Sequence, residues 1–198
     1  MNIRTRAFTP QTRAQSPGGS ALRRAQKLAG LPTAQRVLGI DPGLHRTGYG
    51  LIECSATSIR LIEGGVLRAR ADDPFPQRLQ DLHEGLAEVL RDQKPDIVVI
   101  EDLFSTYAHP RSALLMAHAR GVLMLAANQA GVSVHSFTPN EVKQVVTGNG
   151  HATKTNVQAA VKARLKLAAT LHPPDLADAL AIAICFALRQ DVAEKMGL

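Results

Sequence analysis

Short apolar runs alternate with longer amphipathic stretches along most of the chain, a pattern typical of an α/β domain. Three β-prone runs come first, at 37–40, 48–52 and 58–70, and their closeness in sequence predicts an antiparallel meander. A continuous β-branched run at 97–100 suits a strand that is covered on both faces, and a fifth run follows at 132–137.

Helical periodicity and capping residues occupy the intervals between and after these strands. The predicted helices lie at 74–93, 112–130, 138–146, 153–167 and 175–189. The clearest start has Thr138 as the cap, Pro139 in the first turn and Glu141 at the third position, which is a capping box. The order βββαβαβααα predicts a five-stranded mixed sheet, with three antiparallel strands followed by parallel strands and helices on both faces.

The positive charge of the chain is concentrated before the first predicted strand. The net charge is +6, and residues 1–36 contain seven basic residues and no acid, so residues 37–198 carry −1. Low hydrophobicity and the SPGGS segment indicate a basic, disordered leader at 1–35, although an acid-free segment with arginines also resembles a transit peptide. We expect a folded domain at 36–190, a short tail at 191–198, and no loss of fold when the leader is removed.

The sequence disfavours membrane, secreted and thiolate-zinc proteins. It has no stretch of 18 consecutive apolar residues, and its leader lacks the hydrophobic segment of a secretory signal. Cys54 and Cys185 lie far apart and form neither a C-x-x-C motif nor a Cys/His cluster, so neither a disulfide nor a zinc site is indicated. This cysteine usage fits a reducing compartment, and we expect the protein to act in the cytoplasm.

Acidic side chains stand at the ends of three predicted elements, directly beside apolar runs. Asp41 ends the first strand, Glu101 ends the fourth, and Asp175 and Asp178 open the last helix. Spacing of i, i+3 puts the last two on one helix face, and ligands of α/β sheets bind at the carboxyl ends of strands. Each acid alone is also explained by turn or helix-start chemistry. Together they predict a cluster that a hard cation such as Mg²⁺ or Mn²⁺ neutralises.

Five segments carry a resemblance to a known family. They are GIDPGLHRTGYG at 39–50, VVIEDLF at 98–104, SALLMAHARG at 112–121, VKQVVTGNGHATK at 142–154 and PPDLADALAIAI at 173–184. In order and spacing these segments resemble the RuvC crossover-junction endodeoxyribonucleases. The leader is the departure, because chains of this family usually start just before the first strand.

The resemblance implies an RNase H-like fold and a homodimeric hydrolase that resolves four-way DNA junctions by paired symmetric nicks in recombination and repair. It implies that Asp41, Glu101, Asp175 and Asp178 ligate two Mg²⁺ ions per active site, for which Mn²⁺ can substitute. Two such ions would support in-line cleavage of a phosphodiester bond. The resemblance further implies a branch-migration motor as a partner, and no membrane partner is expected.

The loop after the fourth strand holds three candidates for DNA contact. Phe104 and Tyr107 could stack on unpaired bases at the centre of a junction, and Arg111 would then lie near a phosphate. Packing of these side chains on their own domain is the alternative. The sequence itself leaves this choice open, and the family position favours DNA contact for Phe104.

Basic residues around a glycine-rich turn are the second group of candidates. Lys143 and Lys154 match lysines of the family motif, and His151 lies in the turn between them. Lys154 stands in the first turn of a helix, where a basic side chain gains nothing from the helix dipole, so a phosphate or catalytic role is favoured. Contacts of this kind would fix the register of DNA without reading its sequence.

Two other functions remain as alternatives at the level of sequence. An actin-like or sugar-kinase ATPase fragment shares the order of strand, aspartate, glycine-rich hairpin and strand, but such proteins need a second homologous half, and no Walker motif occurs. A catalytically inactive junction-binding module is the other, and the presence of all four acids speaks against it. The small residues of helix 112–130 could pack on a partner subunit or on the sheet of the same chain, and the sequence favours neither.

Overall fold

Strands and helices alternate in the order that the sequence predicts, with one additional strand. The computed structural model describes residues 4–8, 34–55, 58–103, 110–169 and 171–196. In this part of the chain the strands are β1 (Arg4–Phe8), β2 (Gln35–Asp41), β3 (Arg46–Ser55), β4 (Ser58–Arg68), β5 (Ile97–Glu101) and β6 (Ser133–Phe137). The helices are α1 (Phe75–Gln93), α2 (Pro110–Gln129), α3 (Pro139–Thr147), α4 (Lys154–Arg164) and α5 (Pro174–Met196).

The strands form one mixed sheet in the order β1-β4-β3-β2-β5-β6. Strands β2, β3 and β4 pair antiparallel, which confirms the predicted meander. Strand β5 then lies parallel to β2, and β6 lies parallel to β5. The described sheet therefore has six strands rather than five, because β1 pairs antiparallel with the outer side of β4.

Helices cover the sheet on both faces, as predicted. Successive side chains of a strand point to opposite faces, so Val37 joins one buried cluster and its neighbour Leu38 joins the other. Helices α1 and α2 pack on the face of Leu38, whereas α3, α4 and α5 pack on the face of Val37. None of the helices in the described residues combines the length and apolar character that a membrane span requires.

Helix α5 lies directly against the middle of the sheet because four strand residues facing it are glycines. A Cβ atom at Gly39 would overlap the main chain of Ala179, and one at Gly48 would overlap the carbonyl of Asp175. Side chains of α5 fill the space above the other two glycines, Gly50 and Gly64. The close approach fixes where the first turn of α5 stands relative to the ends of β2 and β3.

Local signals set most helix ends correctly. The Thr138 hydroxyl accepts a hydrogen bond from the Glu141 amide at 3.3 Å, and the Glu141 carboxylate accepts one from the Thr138 amide at 2.9 Å, which confirms the capping box. Helix α4 stops at Arg164 rather than 167, since Lys166 adopts a left-handed backbone with φ of 53°. Helix α5 continues to Met196 because no glycine or proline interrupts the sequence between Pro174 and Met196.

The leader segment differs from the disordered tail that its composition predicts. Arg4–Phe8 forms β1, with Arg4 opposite Leu67 of β4. The Arg4 side chain is 2% exposed and forms an ion pair with Glu63, which is 4% exposed. It also donates hydrogen bonds of 2.9 Å to the Tyr49 hydroxyl and to the Asp92 carboxylate. The positive charge of Arg4 thus neutralises a buried carboxylate of the domain. Residues 9–33 of the leader lie outside the described residues.

Replacing Arg4 with methionine is expected to destabilise the protein by about 3–5 kcal/mol, because buried Glu63 would lose its nearest cation and keep only the more exposed Arg6, whose Nε lies 3.5 Å away. Urea-induced unfolding measures the effect. The matched control is Arg6→Met in the same strand, whose side chain is 47% exposed and which should cost less than about 1 kcal/mol. The pair Arg4→Met with Glu63→Gln should recover much of the loss, and equal stabilities for the two single variants would contradict the assignment.

Candidate active site

Two neighbouring parallel strands each end in a carboxylate. Asp41 is the last residue of β2 and Glu101 is the last residue of β5. In the register of this pair Ile40 lies opposite Ile100, so the two acids emerge side by side at the same edge of the sheet. The sequence interpretation placed them there on the assumption of parallel neighbours, and that assumption is confirmed.

The first turn of α5 brings the other two acids to this edge. Asp41 is paired with Gly48 across β2 and β3, and Gly48 touches the main chain of Asp175. Asp178 follows one turn later and interacts electrostatically with both Asp41 and Glu101. Four carboxylates from three elements that are far apart in sequence therefore lie at one edge of the sheet.

The proximity of these acids makes their ionisation unfavourable. Burial raises the pKa of Asp41 to about 8, and the carboxylates of Glu101 and Asp178 add to the rise. Burial and Asp178 likewise raise the pKa of Glu101 to about 7. The charge of Lys154 opposes both shifts, and that of Lys143 opposes the shift of Glu101. Because these acids stay partly protonated near neutral pH, additional positive charge close to them would favour their ionised form.

Basic side chains are already paired with the two acids of the helix. Lys154 Nζ lies 2.6 Å from an Asp178 carboxylate oxygen, and this hydrogen bond raises the pKa of Lys154. Arg46 donates a 2.6 Å hydrogen bond to Asp175. In the described part of the chain, no three or more His, Cys, Asp or Glu side chains stand close enough together to hold a metal ion. The separation of the four acidic side chains follows from their charges. The carboxylates repel one another, and those of Asp175 and Asp178 point towards cations instead.

The donor set fits a hard divalent cation. All four candidate ligands are carboxylates, which supply the oxygen donors that Mg²⁺ and Mn²⁺ prefer. The raised pKa values of Asp41 and Glu101 are the electrostatic mark of carboxylates without enough neighbouring positive charge. These residues could hold a divalent ion once Asp175 and Asp178 leave their basic partners.

Arg120 holds the end of β5 in place, and the sequence interpretation gave it no role. Its Nε donates to the carbonyl of Glu101 at 3.1 Å, and one terminal nitrogen donates to the Ser136 hydroxyl at 2.7 Å. The same nitrogen lies 3.2 Å from an Asp102 carboxylate oxygen. Arg120 therefore fixes the main chain that carries Glu101. The available signal was a single arginine inside the small-residue segment SALLMAHARG.

The structure describes three of the five remaining candidates, Lys143, His151 and Arg111. Lys143, on α3, is near enough to Glu101 to affect its pKa. His151 is exposed in the turn before α4, where the side chain of Asn149 accepts a 2.9 Å hydrogen bond from its amide. Arg111 is exposed at the start of α2. Phe104 and Tyr107 lie outside the described residues.

Comparison with known proteins adds a family to this geometry. The family model described as "Crossover junction endodeoxyribonuclease RuvC" matches residues 37–186, well over half of the chain. The chain belongs to the RuvC family. The match begins after β1, so the strand formed by the leader lies outside the part that the family model covers.

Individual relatives agree with this assignment. A crossover junction endodeoxyribonuclease RuvC from Rhodopirellula baltica is 48% identical over 153 residues, which are 77% of this chain and 86% of the relative. One from Chloroflexus aurantiacus is 42% identical over 163 residues, which are 82% of this chain and 99% of the relative. Neither the ATPase-fragment nor the inactive-module interpretation is favoured by these matches.

A solved structure confirms the predicted RNase H-like fold. It is the Thermus thermophilus RuvC in complex with Holliday junction substrate, which is 35% identical and superposes with a TM-score of 0.75. The match covers 80% of this chain and 96% of the Thermus chain. The mixed sheet and the helices on its two faces are therefore the common framework of the family.

The raised pKa of Asp41 predicts that the protein in EDTA loses stability as the pH rises. The unfolded chain releases this proton near pH 3.8, whereas the folded protein keeps it up to about pH 8, so stability falls across that window. Asp41→Asn removes the part of this fall that Asp41 causes, whereas the raised pKa of Glu101 still contributes its own part. We expect its melting temperature to match that of the wild type near pH 3.8 and to exceed it increasingly towards pH 8, by about 2–4 °C for each kcal/mol.

The matched control is Asp72→Asn, an exposed aspartate in the turn before α1, which should show no such growth with pH. A stability difference between Asp41→Asn and the wild type that stays constant from acid to neutral pH would contradict the electrostatic interpretation of the cluster.

Proposed function

We propose that this protein is a structure-selective endonuclease that resolves four-way, or Holliday, DNA junctions by paired symmetric nicks in recombination and repair. Membership of the RuvC family makes it a hydrolase that acts on DNA. The observation that carries the proposal is the meeting of four carboxylates at the ends of β2 and β5 and the start of α5, with lysines beside them.

The acids serve as the metal site of this enzyme. Asp41, Glu101, Asp175 and Asp178 hold two Mg²⁺ ions, for which Mn²⁺ can substitute. When bound, such ions activate the attacking water and stabilise the leaving oxygen of an in-line phosphodiester cleavage. The protein contributes a fixed main chain beneath the ligands, because strand ends and a helix packed on glycines leave the backbone that carries the four acids little freedom to move.

Basic residues around the acids bind the DNA backbone. Lys154 and Lys143 bring positive charge to the edge of the acidic cluster, and both are proposed to contact backbone phosphates. Lys154 also has a catalytic role beside the bond that is cut. His151 and Arg111 are further phosphate contacts. Stacking of the aromatic loop residues Phe104 and Tyr107 on bases at the junction centre stays a prediction.

A homodimer suits a substrate in which two equivalent strands are cut. Helix α2 buries one face in its own chain, including Ala119 and Leu123. Its opposite face carries Leu114 and Leu125, which are 63% and 49% exposed and are the large hydrophobic side chains left exposed among the described residues. Between them a Cβ at Gly121 would meet no atom within 4 Å. We assign this apolar stripe to contact with a second copy of the chain.

The surroundings of the enzyme follow from its substrate. Family resemblance supports a branch-migration motor as a further partner, one that would deliver junctions to the dimer. Because chromosomal DNA is the substrate, we place the enzyme in the cytoplasm.

Asp41→Asn and Glu101→Gln should each lower the rate of junction nicking by more than about 100-fold, because each removes a ligand rather than a more distant support of the metal site. Junction binding in Ca²⁺ should stay within about threefold of the wild type. A fixed synthetic junction and a linear duplex of the same sequence, with Mg²⁺ titrated, give both measurements. Glu53→Gln is the matched control, since Glu53 pairs with Arg60 at the other end of the sheet.

Near-native cutting by either variant would show that the ligands are wrongly assigned. If the wild type bound junctions in EDTA and did not nick them with Mg²⁺ or Mn²⁺, the inactive-module alternative would hold. Thermal stabilisation by a nucleoside triphosphate would instead favour the ATPase alternative.

Introducing Leu114→Glu together with Leu125→Glu should convert a dimer into a monomer. Two carboxylates would have to be desolvated at the contact, so the dissociation constant of the dimer should rise at least about 100-fold. Sedimentation velocity over a concentration series measures this. Gln77→Glu, on the exposed surface of α1, is the control and should leave the assembly unchanged. A double variant that stays dimeric would place the contact elsewhere.

A further inference from the structure

Arg46 is a charged residue of the site whose role neither the motifs nor the proposed function explains. It is the first residue of β3, and its guanidinium Nη2 lies 2.6 Å from a carboxylate oxygen of Asp175, 129 residues further along the chain. The two side chains are 43% and 28% exposed. The contact is thus solvent-accessible, and it occupies one of the four acids assigned to metal binding.

The backbone around Arg46 is fixed tightly enough to aim its side chain. The Thr47 hydroxyl donates to the Gly43 carbonyl at 2.8 Å and accepts from the Gly43 amide at 3.1 Å, which closes the turn before β3. A Cβ at Gly43 would overlap the carbonyl of Arg46, so the turn passes very close to this residue. On the other side, Gly48 brings the main chain of Asp175 against β3.

A second observation points to an anionic ligand beside Arg46. In the antiparallel register of β3 and β4, Arg46 lies directly opposite Arg68, and both residues are exposed. Directly opposed like charges destabilise a strand pair, and one carboxylate partner does not offset two guanidinium groups. Arg78 adds a third guanidinium group near this edge, since its Nη1 lies 3.4 Å from Nε2 of His45, the residue before Arg46. A phosphate of the DNA backbone matches this arrangement in charge and in its capacity for paired hydrogen bonds.

We propose that Arg46 holds Asp175 while the site is free of metal and DNA, and that it transfers to a DNA phosphate when a divalent ion takes Asp175 as a ligand. This inference rests on the proposed function. An exposed arginine–carboxylate pair is weak, so it can be exchanged for stronger partners. Metal binding and DNA binding then favour each other. A metal ion bound to Asp175 frees Arg46 for a phosphate, and a phosphate bound to Arg46 frees Asp175 for the metal ion.

The test compares Arg46→Met with Arg60→Met, which breaks the ion pair to Glu53 at the far end of the same hairpin. In the absence of DNA, Arg46→Met should bind Mn²⁺ about two- to fivefold more tightly than the wild type, because a competing cation has been removed from Asp175. Titration calorimetry or the loss of the free Mn²⁺ signal in paramagnetic resonance measures this. Arg60→Met should bind Mn²⁺ like the wild type.

With Ca²⁺ and a synthetic junction, Arg46→Met should bind more weakly, and the slope of log K against log salt should fall by about one. Arg46→Lys should retain most of that slope, and Arg60→Met should retain all of it. Unchanged or weaker Mn²⁺ binding by Arg46→Met would overturn the competition, and an unchanged salt slope would overturn the phosphate contact. Failure of the wild type to bind junctions would instead strike the proposed function, while the Mn²⁺ comparison without DNA would still decide the competition.

Discussion

The direct packing of α5 on glycines of the sheet is the constraint from which the site follows. At Gly39 and Gly48 the helix backbone occupies the space that a Cβ would need, so the helix cannot slide or lift without losing this contact. The same contact sets Asp175 beside the residue that pairs with Asp41. The role of these strand glycines is therefore to set a distance rather than to fill the core. They determine how near Asp175 and Asp178 come to Asp41 and Glu101.

Carboxylates this close repel one another, and the protein reduces this repulsion in two ways. At the strand ends, burial and mutual repulsion favour protonation, as the raised pKa values of Asp41 and Glu101 indicate. At the helix start, where solvent has access, Asp178 takes Lys154 as its partner. Neither protonation nor the pairing with Lys154 fully stabilises the ionised acids, so the site still attracts added positive charge. A polyanionic substrate and its counter-ions meet that requirement together.

Much of the fold could be predicted from the sequence, because its apolar runs and caps act locally. The meander, the parallel strand ending in Glu101 and the capping box at Thr138 all depend on neighbouring residues. Strand β1 could not be predicted in this way. Its arginines are typical of a solvated tail, and burial of Arg4 is favourable only because of residues distant in sequence, such as Glu63 and Asp92. For the same reason the hold of Arg120 on the end of β5 was missed, since it depends on spatial contacts.

Two of the arginine–carboxylate pairs in this protein differ in burial and therefore in what they can do. Arg4 and Glu63 are 2% and 4% exposed, so separating them would leave two buried charges with only more exposed charged partners, such as Asp92 and Arg6, and the pair stays closed. Arg46 and Asp175 are 43% and 28% exposed, and water can replace either partner at little free-energy cost. The chemistry of the two contacts is the same. Of these two pairs, only the second can open at little free-energy cost, as the proposed transfer of Arg46 from Asp175 to a DNA phosphate requires.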